Sequence, residues 1–245
     1  MSHPLFQRFE LAKSPEALKL MQSTKLLLLG CGAVGGMALE TLARSGVQFF
    51  VLVDFDRFEP SNTNRQVLAT QETMGQQKAE VARLRVESIN PDAKCVAVNE
   101  KVNGARVLEL IKQHEIQIVV DCIDLFVQKT EIIQACLDAK MPIVSSMGAA
   151  RKHDPSKINV VQLDQIRCCA LAKRVKSKIE LDGRDCKDAV CVLSLEKPAP
   201  HPKDADGVKM SLPSYAVMTS MFGIWVGYAA IERIIGGKFI VSKLK

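Results

Sequence analysis

Aromatic residues are scarce, at 5% of 245 residues with one Trp and two Tyr. So thin a supply argues against a stacking platform of the kind that grips single-stranded bases. No positively charged segment, apolar core and cleavage site open the chain, which begins Met1-Ser2-His3-Pro4. A reducing, cytoplasmic setting is therefore expected, with the cysteines acting as small hydrophobes rather than as a disulfide framework. Internal repeats and low-complexity linkers are absent. The uncharged stretch from Tyr215 to Ile231 sits at the margin of membrane-spanning length. It reads as a helix buried against a sheet, with membrane association through 215–231 as the weaker alternative.

What is present is ordinary for a globular protein: 47% hydrophobic residues, 24% charged residues and a mean hydropathy of +0.07. Disordered, collagen-like and coiled-coil classes are excluded. The length is large for one domain and small for two. The economical reading is a single α/β domain over residues 1–245, with a core at 5–165 and an added loop plus covering helix at 166–245. Lys and Arg exceed Asp and Glu by 33 − 27 = +6, which permits a polyanionic partner without requiring one.

Hydrophobic periodicity switches repeatedly between strand and helix. Lys25–Leu29, Phe49–Val53, Lys94–Val98, Ile116–Val120 and Pro142–Ser145 read as strands. Ala33–Ser45, Gln76–Ile89, Ala105–His114 and Val127–Ala139 read as the intervening helices. This alternation predicts an α/β fold, a doubly wound, mostly parallel Rossmann-like sheet with helices on both faces. After Gly148 the alternation stops. Ile158–Leu163 and Val190–Leu195 look like strands around a basic, cysteine-containing loop, and the tail from Ser214 like a covering helix, together a C-terminal β/helix extension.

Gly30-Cys31-Gly32-Ala33-Val34-Gly35 directly follows the first strand and opens the first helix of that alternation. Glycines let the backbone approach a phosphate, and a helix amino terminus offers unpaired N–H groups and the positive end of a dipole. Asp54 closes the second strand about 20 residues later, where a carboxylate accepts from ribose hydroxyls. This fingerprint alone leaves NAD and ATP both open. The segment from Asp54 to Gln66, with Gly75-Gln76-Gln77-Lys78 after it, favours ATP. Arg65 and Lys78 supply cations suited to charge developing on a leaving pyrophosphate, which hydride transfer does not need.

The patterns D-x-D, N-x-x-R-Q and G-x-x-K, followed by Asp121-Cys122-Ile123-Asp124, resemble the adenylating domain of the ubiquitin-activating-like (ThiF, MoeB, HesA) superfamily over roughly residues 5 to 165. The resemblance implies that Gly30, Gly32 and Gly35 cradle the nucleotide. It implies that Asp54, with Asp56, holds the ribose side, that Asn62, Arg65 and Lys78 contact phosphates, and that Asp124 binds Mg2+. Gln7-Arg8-Phe9 is similar to the superfamily's amino-terminal arginine segment, so Arg8 is expected to reach the ATP of the opposite subunit of a homodimer. Arg8, Arg65, Lys78 and Asp124 are thus the expected catalytic residues.

Sulfur-carrier activators of this superfamily commonly carry two C-x-x-C pairs for zinc. Eight cysteines are present here, but not those pairs. A thioester cysteine needs an exposed, electropositive thiol. Cys186, between Arg184 and Lys187, is the best candidate on charge, whereas Cys191 lies in an apolar run. Residues Met147–Ile158 and Val190–Glu196 look like the bacterial tRNA threonylcarbamoyladenosine dehydratase family, with a departure in length and detail between Asp164 and Leu195. That resemblance implies ATP-dependent activation of the carboxylate of N6-threonylcarbamoyladenosine at position 37 of tRNA, then ring closure by an internal nucleophile. The basic residues Arg151, Lys152, Arg167, Lys173, Arg174, Lys176, Lys178 and Arg184 would supply phosphate contacts. The implied partners are modified tRNA, a second copy of the chain and, more loosely, a sulfur-relay protein, with no DNA. Two other readings stay open: a sulfur-carrier adenylyltransferase and a non-catalytic nucleotide-binding scaffold.

Overall fold

In the computed structural model, residues 4–166, 168–208 and 210–237 are described. The strands are β1 (Lys25–Leu29), β2 (Phe49–Val53), β3 (Lys94–Val98), β4 (Ile118–Asp121), β5 (Ile143–Ser146), β6 (Ile158–Gln162) and β7 (Ala189–Ser194). The helices are α1 (Gln7–Ala12), α2 (Pro15–Ser23), α3 (Ala33–Arg44), α4 (Lys78–Ile89), α5 (Gly104–His114), α6 (Phe126–Asp138), α7 (Ala170–Leu181) and α8 (Ala216–Ile234).

All seven strands share one sheet in the order β3-β2-β1-β4-β5-β7-β6. Every pairing is parallel except β6 with β7. The central strands are continuous apolar runs because both faces are covered. Leu26, Leu28, Phe50 and Leu52 point into a core shared with α3, α4 and α8, while Leu27, Leu29, Val51 and Val53 point into a second core under α5, α6 and α7. The chain runs outward from β1 in one direction through β2 and β3, then returns to place β4 and β5 on the other side. The crevice between β1 and β4 is therefore the topological switch point, where doubly wound sheets bind ligands. Leu29 lies opposite both Val53 and Asp121, so β1, β2 and β4 end level and deliver Gly30, Asp54 and Cys122 to one edge.

The covering helix expected from Ser214 is α8, and it packs on α3 through glycines. A Cβ on Gly223 would meet the Val34 carbonyl oxygen at 2.5 Å, and one on Gly227 would meet Thr41 Cγ2 at 2.6 Å. Among the described residues no helix is long and apolar enough to cross a membrane, and the weaker reading of 215–231 gives way to this packed helix. A second correction concerns the basic loop, in which Ala170–Leu181 form helix α7. Ala172, Val175 and Ile179 recur at helical spacing and are buried, but the dense lysines and arginines of the outer face obscure that period. Arg167 lies outside the described residues. α1 and α2 have no counterpart among the expected elements, although Ser14 caps α2 by accepting from the Ala17 amide at 3.0 Å with Pro15 in the first turn.

Candidate functional site

The glycine motif forms the turn from β1 into α3. Gly30 has φ +87°, and a Cβ there would press on the Cys122 carbonyl at 3.1 Å; at Gly35 it would overlap the Gly30 carbonyl oxygen at 1.8 Å. Both glycines are required by the protein itself, one for a left-handed backbone and one for the approach of helix to strand. Gly32 differs. Its Cβ would meet nothing closer than the Gln66 amide at 3.8 Å, so the space over it is open. Gly32 is also the N-cap of α3 and offers no capping side chain, which leaves the first amides of that helix facing the opening.

A polar chain links this turn to the end of β2 and to α4. The Cys31 amide donates to Asp54 Oδ2 at 2.7 Å, the Asp56 amide donates to Asp54 Oδ1 at 2.9 Å, and Lys78 Nζ donates to Asp56 Oδ2 at 3.1 Å. Burial pushes the Asp54 carboxyl up from its ordinary value, only partly opposed by those two amides and by Lys78. Lys78 is 7% exposed yet sits at the start of α4, where the helix dipole disfavours a cation. A buried ammonium in that position is poised to gain from an added anion.

Residues 60–66 form a tight turn beside the glycine motif. The Asn62 side chain is used locally, accepting from the Glu59 amide at 3.2 Å. Arg65 Nη1 donates to the Ser61 carbonyl and to Asn64 Oδ1, each at 2.8 Å. Among the described residues Arg65 has no carboxylate partner, so its charge is unneutralised. Gln66, to which sequence reasoning assigns no role, is 7% exposed, stands against Gly32, and has a buried Oε1 without a hydrogen-bond partner. A buried polar atom left unpaired costs stability, and here it borders the opening over the glycine turn.

On the β4 side, Asp121 Oδ1 accepts from the Ile123 amide at 3.0 Å and shapes the turn that presents Asp124. Asp121 is itself fully buried in an ion pair with Lys129, and Ser145 Oγ bonds both, at 2.6 Å to Asp121 Oδ2 and 2.9 Å to Lys129 Nζ. Lys129 and Ser145 come from α6 and β5, so linear spacing carries no signal of this support. Asp124 is exposed and makes no hydrogen bond or ion pair among the described residues. A single free carboxylate suits Mg2+, which is usually held by one or two carboxylates together with substrate phosphates and water.

Arg8 is not brought to this edge. It is exposed on α1, and its neighbour Phe6 approaches the Gly46 turn at the far end of α3, about 18 Å from the glycine motif by helical rise. Neither candidate cysteine has the exposed, electropositive thiol that a thioester needs. Cys186 is 2% exposed and burial pushes its thiol up to about 11. Its flanking cations are engaged elsewhere, Arg184 by Asp138 and Lys187 by Asp185. Cys191 is fully buried, with its thiol also raised by burial. Of the basic cluster, Lys152 is buried against the Ser194 carbonyl, Arg151 donates to the Ala199 carbonyl, Lys176 turns inward to the Asp164 carbonyl, and Lys178 pairs with Asp182. Lys173 and Arg174 remain exposed and without an acidic partner among the described residues.

The chain is 34% identical over 178 residues to the tRNA threonylcarbamoyladenosine dehydratase of Bacillus subtilis (strain 168), covering 73% of this chain and 70% of that protein. The molybdopterin-synthase adenylyltransferase of Escherichia coli (strain K12) is 38% identical, but over 55% of this chain and 51% of its own length. Among solved structures, E. coli tRNA N6-threonylcarbamoyladenosine dehydratase in complex with ATP superposes with a TM-score of 0.85 at 28% identity, covering 94% of this chain and 93% of that one. The ThiF family model matches residues 6–238, and the chain belongs to the ThiF family.

Proposed function

We propose that this protein is an ATP-dependent tRNA threonylcarbamoyladenosine dehydratase. The observation that carries this reading is the reach of the likeness. By sequence the match to the Bacillus subtilis dehydratase covers 73% of the chain, against 55% for the molybdopterin-synthase adenylyltransferase, and the E. coli dehydratase superposes over 94% of the chain. A carrier-protein adenylyltransferase is the weaker reading for that reason.

In this account ATP lies over the glycine turn at the switch point. Gly32 and the first amides of α3 receive phosphate oxygens, Gln66 Oε1 accepts from a hydroxyl or amino group of the nucleotide, and Asp54, with Asp56 behind it, accepts from the ribose hydroxyls. Lys78 and Arg65 face the phosphates, with Asn62 holding the turn that carries Arg65. Asp124 supplies the protein ligand for Mg2+, which when bound draws charge from the phosphate oxygens. One oxygen of the threonylcarbamoyl carboxylate attacks the α-phosphorus and pyrophosphate leaves. An internal nucleophile of the modified base then attacks the activated carbonyl, losing its proton, and AMP departs with that carboxylate oxygen. The sum is loss of one water from the nucleoside, with no enzyme thiol required. Arg8 is too far from its own site to take part and acts across a homodimer, in a cytoplasmic setting where modified tRNA is found.

Mass spectrometry of tRNA nucleosides from a strain lacking the gene tests this. The cyclic nucleoside should disappear, the open form should accumulate, and wild-type protein should restore the cycle while Arg65→Ala should not. An unchanged nucleoside profile in the deletion strain would refute the assignment.

A further inference from the structure

The start of α6 and the outer face of α7 enclose an open groove of about 300 Å³ lined by Phe126, Lys173, Arg174, Ser177, Lys178 and Leu181. The Arg174 guanidinium lies over the Phe126 ring, 4.1 Å from its centroid. Phe126 follows Asp124 by two residues, so their Cα atoms are at most about 7.6 Å apart, and the groove opens beside the proposed reaction centre. Three cations line it and no carboxylate does. Lys178 is turned towards Asp182, whereas Lys173 and Arg174 are free of acidic partners among the described residues.

We propose that this groove holds the unpaired anticodon-loop nucleotides next to the reacting adenosine, with one base stacked on the Arg174–Phe126 pair and a phosphate against Lys173. The inference rests on the dehydratase reading for the identity of the substrate and adds where its single-stranded segment docks. Charge complementarity selects an anionic occupant. The guanidinium over the ring selects among anions, because single-stranded RNA is recognised by bases laid on aromatic rings or guanidinium planes, and a peptide of Asp and Glu has no aromatic ring to extend the pair. Five per cent aromatics exclude a broad platform, but one ring with one guanidinium suffices for one base.

Binding of a fluorescent anticodon stem-loop RNA lacking the modification, measured with the full chain, tests the groove apart from the chemistry. Arg174 is exposed on the outer face of α7, so its replacement leaves the core intact. Arg174→Ala should weaken binding by roughly 5- to 150-fold, the range for loss of one stacked base, with ATP affinity unchanged. Arg174→Lys, which keeps the charge but not the plane, should restore only part of that loss. Lys173→Ala should lower the salt slope by about 0.7 to 0.9, as for one phosphate contact. Arg174→Ala within about twofold of wild type, full rescue by Arg174→Lys, or a poly-glutamate peptide competing as well as the RNA would each overturn the proposal. Wild-type turnover on modified tRNA with an unaltered KM in Arg174→Ala would remove the groove and leave the dehydratase reading standing. No wild-type turnover, with RNA binding still sensitive to Arg174, would do the reverse.

Discussion

Arg65 is held by a carbonyl and an amide oxygen, neither of which neutralises it, so its charge remains available to a developing anion beside the glycine turn. Arg65→Ala should lower turnover by about 10³-fold or more, the scale of a cation acting on transition-state charge, with a much smaller change in ATP affinity. Pyrophosphate release and titration calorimetry separate the two effects, and a turnover loss of only about threefold would remove Arg65 from this role. Gln66 poses the complementary case. Its unpaired buried oxygen is a cost that an apolar side chain of similar size avoids, so Gln66→Leu should raise the melting temperature of the nucleotide-free protein while weakening ATP binding. A variant that is more stable and binds ATP as well as wild type would show that Gln66 does not face the nucleotide. Cys186→Ser and Cys191→Ser should each keep ring closure per folded molecule, because raised, buried thiols are poor nucleophiles.

At the scale of elements, α3 is fixed from two sides. Gly223 and Gly227 let α8 approach so closely that Gly227→Val has no room beside Thr41. Overpacking of this kind should cost about 1–3 kcal/mol or more, measurable as a lower denaturation midpoint. On the other side Glu40 of α3 joins Arg44 of its own helix to Arg85 of α4. Burial works to raise the Glu40 carboxyl, but the hydrogen bonds from Arg85 and Arg44 outweigh it and hold the group below its ordinary value. A carboxyl lowered in the folded state adds stability above its unfolded value of 4.5, and that contribution fades as pH falls through the lower folded value. Glu40→Gln should therefore cost about 1–2 kcal/mol at neutral pH, allowing for the exposure of both arginines. The gap from wild type should close on acidification in urea melts, and an equal cost at both ends of the pH range would contradict the pairing.

Across the whole molecule, what could be read from the sequence was whatever depends on local spacing. β1, β2 and β3 are short apolar runs with turn residues at both ends, and their observed limits match the expected ones. Gly30 to Gly35, Asp54 and Lys78 converge because parallel strands in register must end at one edge. The misses share a cause, dependence on partners remote in sequence. The apolar stripe of α7 is visible only once a sheet face is there to receive it, and the Lys129–Asp121–Ser145 support spans α6, β4 and β5.

On the reading proposed here, this edge of the sheet activates one particular carboxylate, that of threonylcarbamoyladenosine. Its most direct test is ATP turnover by purified protein on tRNA bearing threonylcarbamoyladenosine and on the same tRNA without it, with pyrophosphate and nucleoside mass followed together. Pyrophosphate should appear only with the modified tRNA, one for each nucleoside that loses one water, because only the modified base carries a free carboxylate. Equal turnover on both tRNAs, or turnover only when a carrier protein is supplied, would contradict the account.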